Sequence, residues 1–334
     1  MALHTIYGRS IQSDMALPEL APAGRSAERE RGAASGTPDL VFQRGRIPEP
    51  DGRWFDIWPV PNGRAWVRGI KVPSGYVVRY EDRADFFVDL DRRSITCDDD
   101  TDSGCPDDMM RHFLLDQVVP LMLSLNAPVL HASSVMIRGA MAAFIGPGGA
   151  GKSTLAVALG RLGHPVGSDD GLLLARGDGE VLGIPAYAGA RLCADSANAA
   201  GVGPRAANAP VAAKVRVRDG IPFFAGAAPL VRIYVVDPRP SADIAFHALT
   251  PRAAVMALLE QAYRLALDDR AALARQFDDL ADAALEIDAW RLSFPRALDG
   301  WRALASAVAD HFQPGAVAAA TGDRRGDGPA CESA

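Results

Sequence analysis

The stretch GPGGAGKSTLAVALGRLGHPVGSDD, Gly146 to Asp170, decides the reading of this chain. It opens on the pattern G-x-x-x-x-G-K-[ST], with the apolar run AMAAFI before it and the helical run STLAVALGRL overlapping its end. Between a strand and a helix, a glycine-rich turn can wrap closely round an anion and aim successive N–H groups at it. The helix N-terminus adds partial positive charge. The context reads as a phosphate cradle made by Gly146, Gly148, Gly149, Ala150, Gly151, Lys152, Ser153 and Thr154. In such a cradle Lys152 reaches the outer phosphates of a nucleotide and the Ser153 hydroxyl ligates its Mg²⁺, so ATP and Mg²⁺ are the expected ligands.

The same stretch closes on two adjacent carboxylates. From Ser153 a helix of about ten residues descends roughly 15 Å. Gly163 ends it, and His164 to Ser168 climb about the same distance as a strand, at about 3.3 Å per residue. Asp169 and Asp170 then emerge level with the phosphates, which makes Ser153, Asp169 and Asp170 the candidate metal residues. One carboxylate can hold the ion while the other takes the proton of an attacking hydroxyl. A surface hairpin that happens to start with two acids is the alternative. Asp237 competes for the metal role because LVRIYVVD ends an apolar strand on it; the simpler reading is that it closes the strand, since Pro238 follows.

With 334 residues, 49% hydrophobic and 23% charged, the chain is long enough for one large domain or two ordinary ones. A net charge of −6 offers no general attraction to nucleic acid or to an anionic membrane, and neither is expected as a partner. The four cysteines lie far apart with no CxxC pair, which argues against a disulfide framework or a zinc site and for a reducing cytoplasm. No basic-then-apolar leader opens the sequence. FLLDQVVPLMLSL (Phe113–Leu125) is too short to span a bilayer and is expected as part of a buried helix over about 106–125, in a soluble protein.

Residues 1–105 read as a β-rich N-terminal domain, from PDLVFQRG, AWVRGIKV, GYVVRYED and DFFVDLD. Within it, 21–35 reads as a mobile loop, and the aspartates of 98–108 as an acidic turn at the start of the next helix rather than a calcium loop. Residues 106–313 read as the catalytic domain. It has hairpins at Arg138-Gly139 and Gly177-Asp178-Gly179, a loop region over 185–226 and a buried strand over 230–237. Amphipathic helices follow in PRAAVMALLEQAYRLAL, DRAALARQFDDLADAALEI and RALDGWRALASAVADHF. Residues 314–334 read as a disordered tail.

LHASSVMI, GPGGAGKST and GHPVGSDD, in that order and spacing, resemble the catalytic domain of HPr kinase/phosphorylase and its relatives. The resemblance implies an α/β fold, a P-loop kinase domain of the HPr kinase/PEP carboxykinase-like type, here preceded by the β-rich domain. It assigns His131, which alone would read as a core histidine, to the active-site wall near the phosphates. Asp170 becomes the general base, with Asp169 beside it near the metal. PAYAGARLCADS, APVAAKVRV and RLSFPRALDGWRAL bring the likeness closer to a subgroup found in lasso-peptide and related peptide-biosynthesis settings, over about residues 6–312. That subgroup implies a serine kinase acting on a precursor peptide at or near its C-terminus. An RGLGI-like run follows the Asp pair in the bifunctional HPr enzymes; GIPAYAGARL stands there instead, which argues against HPr itself and against the reverse reaction.

The expected activity is transfer of the γ-phosphate of ATP to a serine hydroxyl of a peptide or small protein, with Lys152, His131 and Asp170 at the chemistry. Arg191, Lys214 and Arg216 stand where a segment could cover the site. They read either as contacts to phosphate or to an acceptor carboxylate, or as ordinary surface charge. A small-metabolite kinase and a non-catalytic ATP-binding sensor are the alternatives. Assembly into homo-oligomers stays open, since the parent family forms assemblies.

Overall fold

The computed structural model describes residues 1–22, 37–58, 65–98, 104–199, 214–296 and 300–313, without the side chains of residues 194, 198, 199, 214 and 215. Among these residues, the first sheet contains β1 (Ala2–Ile6), β2 (Arg9–Ser13), β3 (Ala21–Pro22), β4 (Leu40–Arg44), β5 (Phe55–Asp56), β6 (Val67–Val72), β7 (Gly75–Tyr80), β8 (Ala84–Asp89) and β9 (Ser94–Asp98). Their order is β3-β1-β2-β4-β9-β8-β7-β6-β5. The four quoted runs form β4, β6, β7 and β8. Alternation along them turns Phe42, Val67, Tyr76, Val78, Tyr80, Phe86 and Val88 to the main core, while Ile70, Val77 and Phe87 form a smaller cluster on the other face. β1 and β2 are joined by a two-residue turn, Tyr7-Gly8, with φ of 49° and 66°. Of the loop expected over 21–35, Ala21–Pro22 is an edge strand and residues 23–35 lie outside the described residues. The tail expected from 314 lies outside them too.

The apolar helix is one path with an irregular middle: α1 (Asp107–Phe113), a π-helical turn (Leu114–Val118) and α2 (Val119–Leu123). Asp107 and Asp108 occupy its first turn, where the helix field favours acids. Pro120 has no N–H to offer the carbonyl of Asp116, and the Tyr263 hydroxyl donates to that oxygen at 2.8 Å. The irregularity carries Asp116 inward with its carboxylate almost wholly buried. Phe113, Leu114, Leu115, Val118 and Leu121 share a core with the first sheet, so packing continues past residue 105.

The rest of the chain builds a second sheet with helices on both faces. Its elements are β10 (Val129–Leu130), β11 (Ser133–Ile137), β12 (Ala140–Ile145), α3 (Lys152–Arg161), β13 (Val166–Ser168), β14 (Leu172–Gly177) and β15 (Glu180–Pro185). There follow β16 (Ala190–Cys193), α4 (Ala194–Ala199), β17 (Lys214–Val217), β18 (Ala228–Val236), β19 (Ala245–Ala248), α5 (Pro251–Gln261), α6 (Arg270–Glu286), β20 (Asp288–Ser293) and α7 (Trp301–His311). The strand order is β10-β14-β15-β18-β12-β11-β13, and β20 lies parallel to β18 with β19 at its side. Leu155 and Leu159 of α3 and Leu304 and Val308 of α7 cover one face; Leu258 of α5 and Leu280 of α6 cover the other. The fold is mixed α/β with large sheets.

Both expected hairpin turns form, with left-handed φ at Arg138, Gly139, Asp178 and Gly179. Three expectations are corrected. The region 185–226 contains the β16–β17 pair and the short α4 rather than loop alone. The first amphipathic helix stops at Gln261, because Ala262 turns extended and the next residue, Tyr263, donates its N–H to the Val129 carbonyl. IDAWRLSF forms the parallel strand β20, so the last helix begins only at Trp301.

Phe113 stacks on Tyr80 with ring centroids 4.1 Å apart and joins the helix to the first sheet. Phe113→Ala is expected to lower unfolding free energy by about 3–5 kcal/mol. Urea unfolding reads this directly, and a loss under about 1 kcal/mol would show that the contact matters little.

Candidate active site

At the end of β12 the chain enters the glycine-rich loop and leaves it as α3. Glycine is required at both ends of this loop. A Cβ on Gly146 would stand 2.8 Å from the Val236 carbonyl oxygen, and one on Gly151 2.8 Å from the Trp301 ring. At Gly148 and Gly149 a Cβ would meet nothing within 4 Å, and both residues are exposed. Lys152 is buried, and its ammonium donates to the carbonyls of Gly146 at 2.7 Å and Pro147 at 3.3 Å. Arg296 donates to the carbonyls of Ala150 and Asp237 and so ties the loop to the end of β18.

β12 and β13 both pair antiparallel with β11 and therefore point the same way, so the loop and the Asp pair leave the sheet at one end. Asp169 is buried. The Ser133 hydroxyl, from β11, lies 2.9 Å from its carbonyl and 3.1 Å from Oδ1, and the Arg191 N–H donates to Oδ2 at 2.7 Å. The Ser153 hydroxyl, at the start of α3, lies near enough to this carboxylate to pull its pKa down. Burial, and then the neighbouring Asp170 charge, push the Asp169 pKa up to about 7 against the pull of the Arg191 N–H and the two serine hydroxyls. Asp170 is less buried: its Oδ1 lies 3.8 Å from His131 Nε2. Tyr263 holds this corner, with its hydroxyl 3.1 Å from the Asp170 carbonyl and its ring stacked 6.2 Å from that of His131.

A second buried carboxylate, Asp116, stands next to the pair. Tyr187 donates its hydroxyl to Asp116, His112 Nδ1 lies 2.7 Å from Oδ2, and the Arg191 guanidinium approaches to 3.8 Å. Arg216 donates to the Tyr187 hydroxyl at 2.9 Å and lies 3.9 Å from Glu19. Burial above all raises the pKa of Tyr187 and Tyr263, which keeps both phenols protonated as donors.

The structure thus brings Ser153, Asp169, Asp170, His131 and the Arg191 backbone together beside the glycine loop. The Arg191 side chain turns to Asp116, and Arg216 to Tyr187 and Glu19, so neither is an exposed arm reaching into solvent. Lys214 pairs with Cys193 through the backbone, and its side chain lies outside the described ones. Asp237 accepts hydrogen bonds from the Arg239 side chain and backbone, which hold its carboxyl down at about 2. Ser133, Asp116, Tyr187, Tyr263 and Arg296 were not singled out from the sequence as site residues. Asp116 was the most legible of them, as a lone acid within the apolar run FLLDQVV.

Folding raises the Asp169 pKa above its ordinary value of about 3.9, so the native state binds this proton more tightly than the unfolded chain does. Its contribution to stability is complete below about pH 4 and is lost as pH rises through about 7. Asp169→Asn cannot ionise at this position. Its melting temperature relative to wild type should therefore climb as the buffer is moved from about pH 5 to about pH 8. Parallel curves for the two proteins would contradict the raised pKa.

No protein-family model matches the chain, and no curated protein does. Among solved structures, a match is the HPr(Ser) kinase/phosphatase from Coxiella burnetii, at 15% identity over 55% of this chain and 95% of that one. Its TM-score is 0.30, and at that level the likeness carries no weight for the reaction.

Proposed function

We propose that this chain is an ATP- and Mg²⁺-dependent phosphotransferase that passes the γ-phosphate of ATP to a serine hydroxyl, on a peptide at or near its C-terminus. The observation that carries the proposal is the meeting of Ser153, at the start of α3, with the buried Asp169, and of Asp170 with His131. The residues fit such a ligand: Gly148 and Gly149 are exposed, with open space on their Cβ side, and a hydroxyl and two carboxylates gather nearby.

In this reading the loop amides grip the phosphates, and Lys152 exchanges its two carbonyl partners for phosphate oxygens. Ser153 and Asp169 would hold the metal. The hydrogen bonds from Ser133 and the Arg191 backbone set the orientation of Asp169, as outer partners do for metal carboxylates. Mg²⁺, when bound, offsets the charge of the phosphate oxygens as the bond to the leaving group loosens. Asp170, the more open of the pair, takes the proton of the incoming hydroxyl, with His131 against it. Most of the acceleration would come from positioning and charge stabilisation. The serine and the peptide rest on the order and spacing of the sequence motifs.

The test is mass spectrometry of serine-containing peptides and small hydroxyl compounds after incubation with ATP and Mg²⁺. Wild type should add one phosphate to peptides with a serine near the C-terminus. Asp170→Asn should slow this by about 10²- to 10⁴-fold, the usual contribution of a general base, and Lys152→Ala should weaken nucleotide binding. Transfer to small compounds alone would refute the peptide acceptor. Bound ATP with no phosphorylated product would refute the phosphotransferase and leave a nucleotide sensor.

A further inference from the structure

The turn between the first two strands puts a tyrosine where such turns favour Asn, Asp or Gly. Tyr7 has φ 49°, a left-handed conformation that a bulky side chain seldom adopts. The corresponding positions of two other hairpins carry Arg138 and Asp178, on polar turns. Tyr7 does the opposite of a surface turn residue: it is 2% exposed. Its N–H donates to the Ala186 carbonyl at 3.0 Å, which fastens the turn to the chain just past β15.

The ring of Tyr7 reaches the backbone next to the Asp pair. Its hydroxyl lies so close to Gly171, the residue after the Asp pair, that a Cβ there would stand 1.9 Å from the oxygen. Glycine at 171 is what lets the phenol in. The hydroxyl is buried and has no hydrogen-bond partner among the described residues. It lines a recess of about 10 Å³, room for about one water, shared with Asp116, Asp169, Asp170, Tyr187 and Arg216. Burial, then the charges of Asp116 and Asp170, raise its pKa and keep it a donor. Strain in the turn, an unspent donor and a glycine facing it are separate observations that meet at one place.

We infer that Tyr7 is a positioning residue for Asp170. With its hydroxyl against Gly171, and Tyr263 at the Asp170 carbonyl, the backbone that carries the carboxylate is clamped between two phenols from distant parts of the chain. The first sheet thereby completes the site rather than merely accompanying it. The inference rests on the reading of Asp170 as a residue beside the metal and the acceptor hydroxyl.

A double-mutant cycle on the full chain tests it, with Tyr7→Phe, Asp170→Asn and the double variant. Tyr7→Phe removes one oxygen and retains the ring and the turn. The first readout is calorimetric affinity for Mn²⁺·ATP, and the second is phosphate transfer to the peptide set above. Tyr7→Phe should weaken Mn²⁺·ATP binding by about fivefold and slow transfer by about tenfold in the wild-type background. In the Asp170→Asn background it should change binding no further, a coupling that a purely structural role does not produce. Equal losses in both backgrounds, or no loss in either, overturn the inference. If no acceptor is phosphorylated but the binding cycle is coupled, the phosphotransferase reading falls and the role of Tyr7 stands. If wild type binds no Mn²⁺·ATP, both fall.

Discussion

A carboxylate taken out of water must be given donors, and Asp169 has the Ser133 hydroxyl and the Arg191 N–H on its oxygens, with the Ser153 hydroxyl close by. Ser133 comes from β11, Ser153 from the start of α3 and the Arg191 N–H from β16. One strand separates β11 from α3 and three more separate α3 from β16, so one buried carboxyl group draws together three separate elements. The two serines and the amide do more than satisfy it. They set the direction in which its oxygens point, and leave the neighbouring Asp170 to the open side with His131. The division of the pair into a sheltered and an accessible acid is a consequence of that packing.

Asp116 repeats the constraint a short distance away. It sits inside an apolar helix, delivered by a π-helical turn, and is met by Tyr187, His112 and Arg191. Arg191 is common to both carboxylates, with its amide on Asp169 and its guanidinium near Asp116. Tyr263 is common to both as well, through the two aspartate carbonyls. The polar centre is therefore a continuous network running from β16 through the helix to Glu19, beyond β2. Networks of this kind rigidify when complete, because each unsatisfied member is costly in a medium of low polarity.

How much of this could be read in advance follows from sequence distance. The glycine loop, its helix and the Asp pair lie within one local strand–helix–strand passage, so rise per residue alone returns Asp169 and Asp170 to the level of Ser153. The hairpins at Arg138 and Asp178 were legible for the same reason, through the residues their turns demand. The β16–β17 pair was not: its strands are embedded in Ala-, Gly- and Pro-rich chain of low strand propensity, and it forms by pairing across residues 194–213. β20 was hidden because IDAWRLSF, at the junction of two helical patterns, becomes a strand only through its parallel neighbour β18. Tyr7 left no local signal, since its function in the site exists only once the first sheet has docked. Asp116 did leave one, and its meaning required the tyrosines that surround it.

Arg296 makes its two hydrogen bonds to carbonyl oxygens, at Ala150 and at Asp237, and burial lowers its pKa. A guanidinium fixed in this way stays charged, and its field extends beyond the atoms it touches. The chain as a whole repels anions at −6, whereas the glycine loop has this cation on its Ala150 carbonyl in addition to the helix N-terminus. Under the proposed function, anion capture there would be a contest between a local attraction and a global repulsion that decay over different distances. Added salt, with a screening length of about 8 Å at physiological ionic strength, quenches the distant repulsion before the contact attraction. Moderate ionic strength should therefore cost this loop less affinity for anions than it costs a site built on exposed lysines.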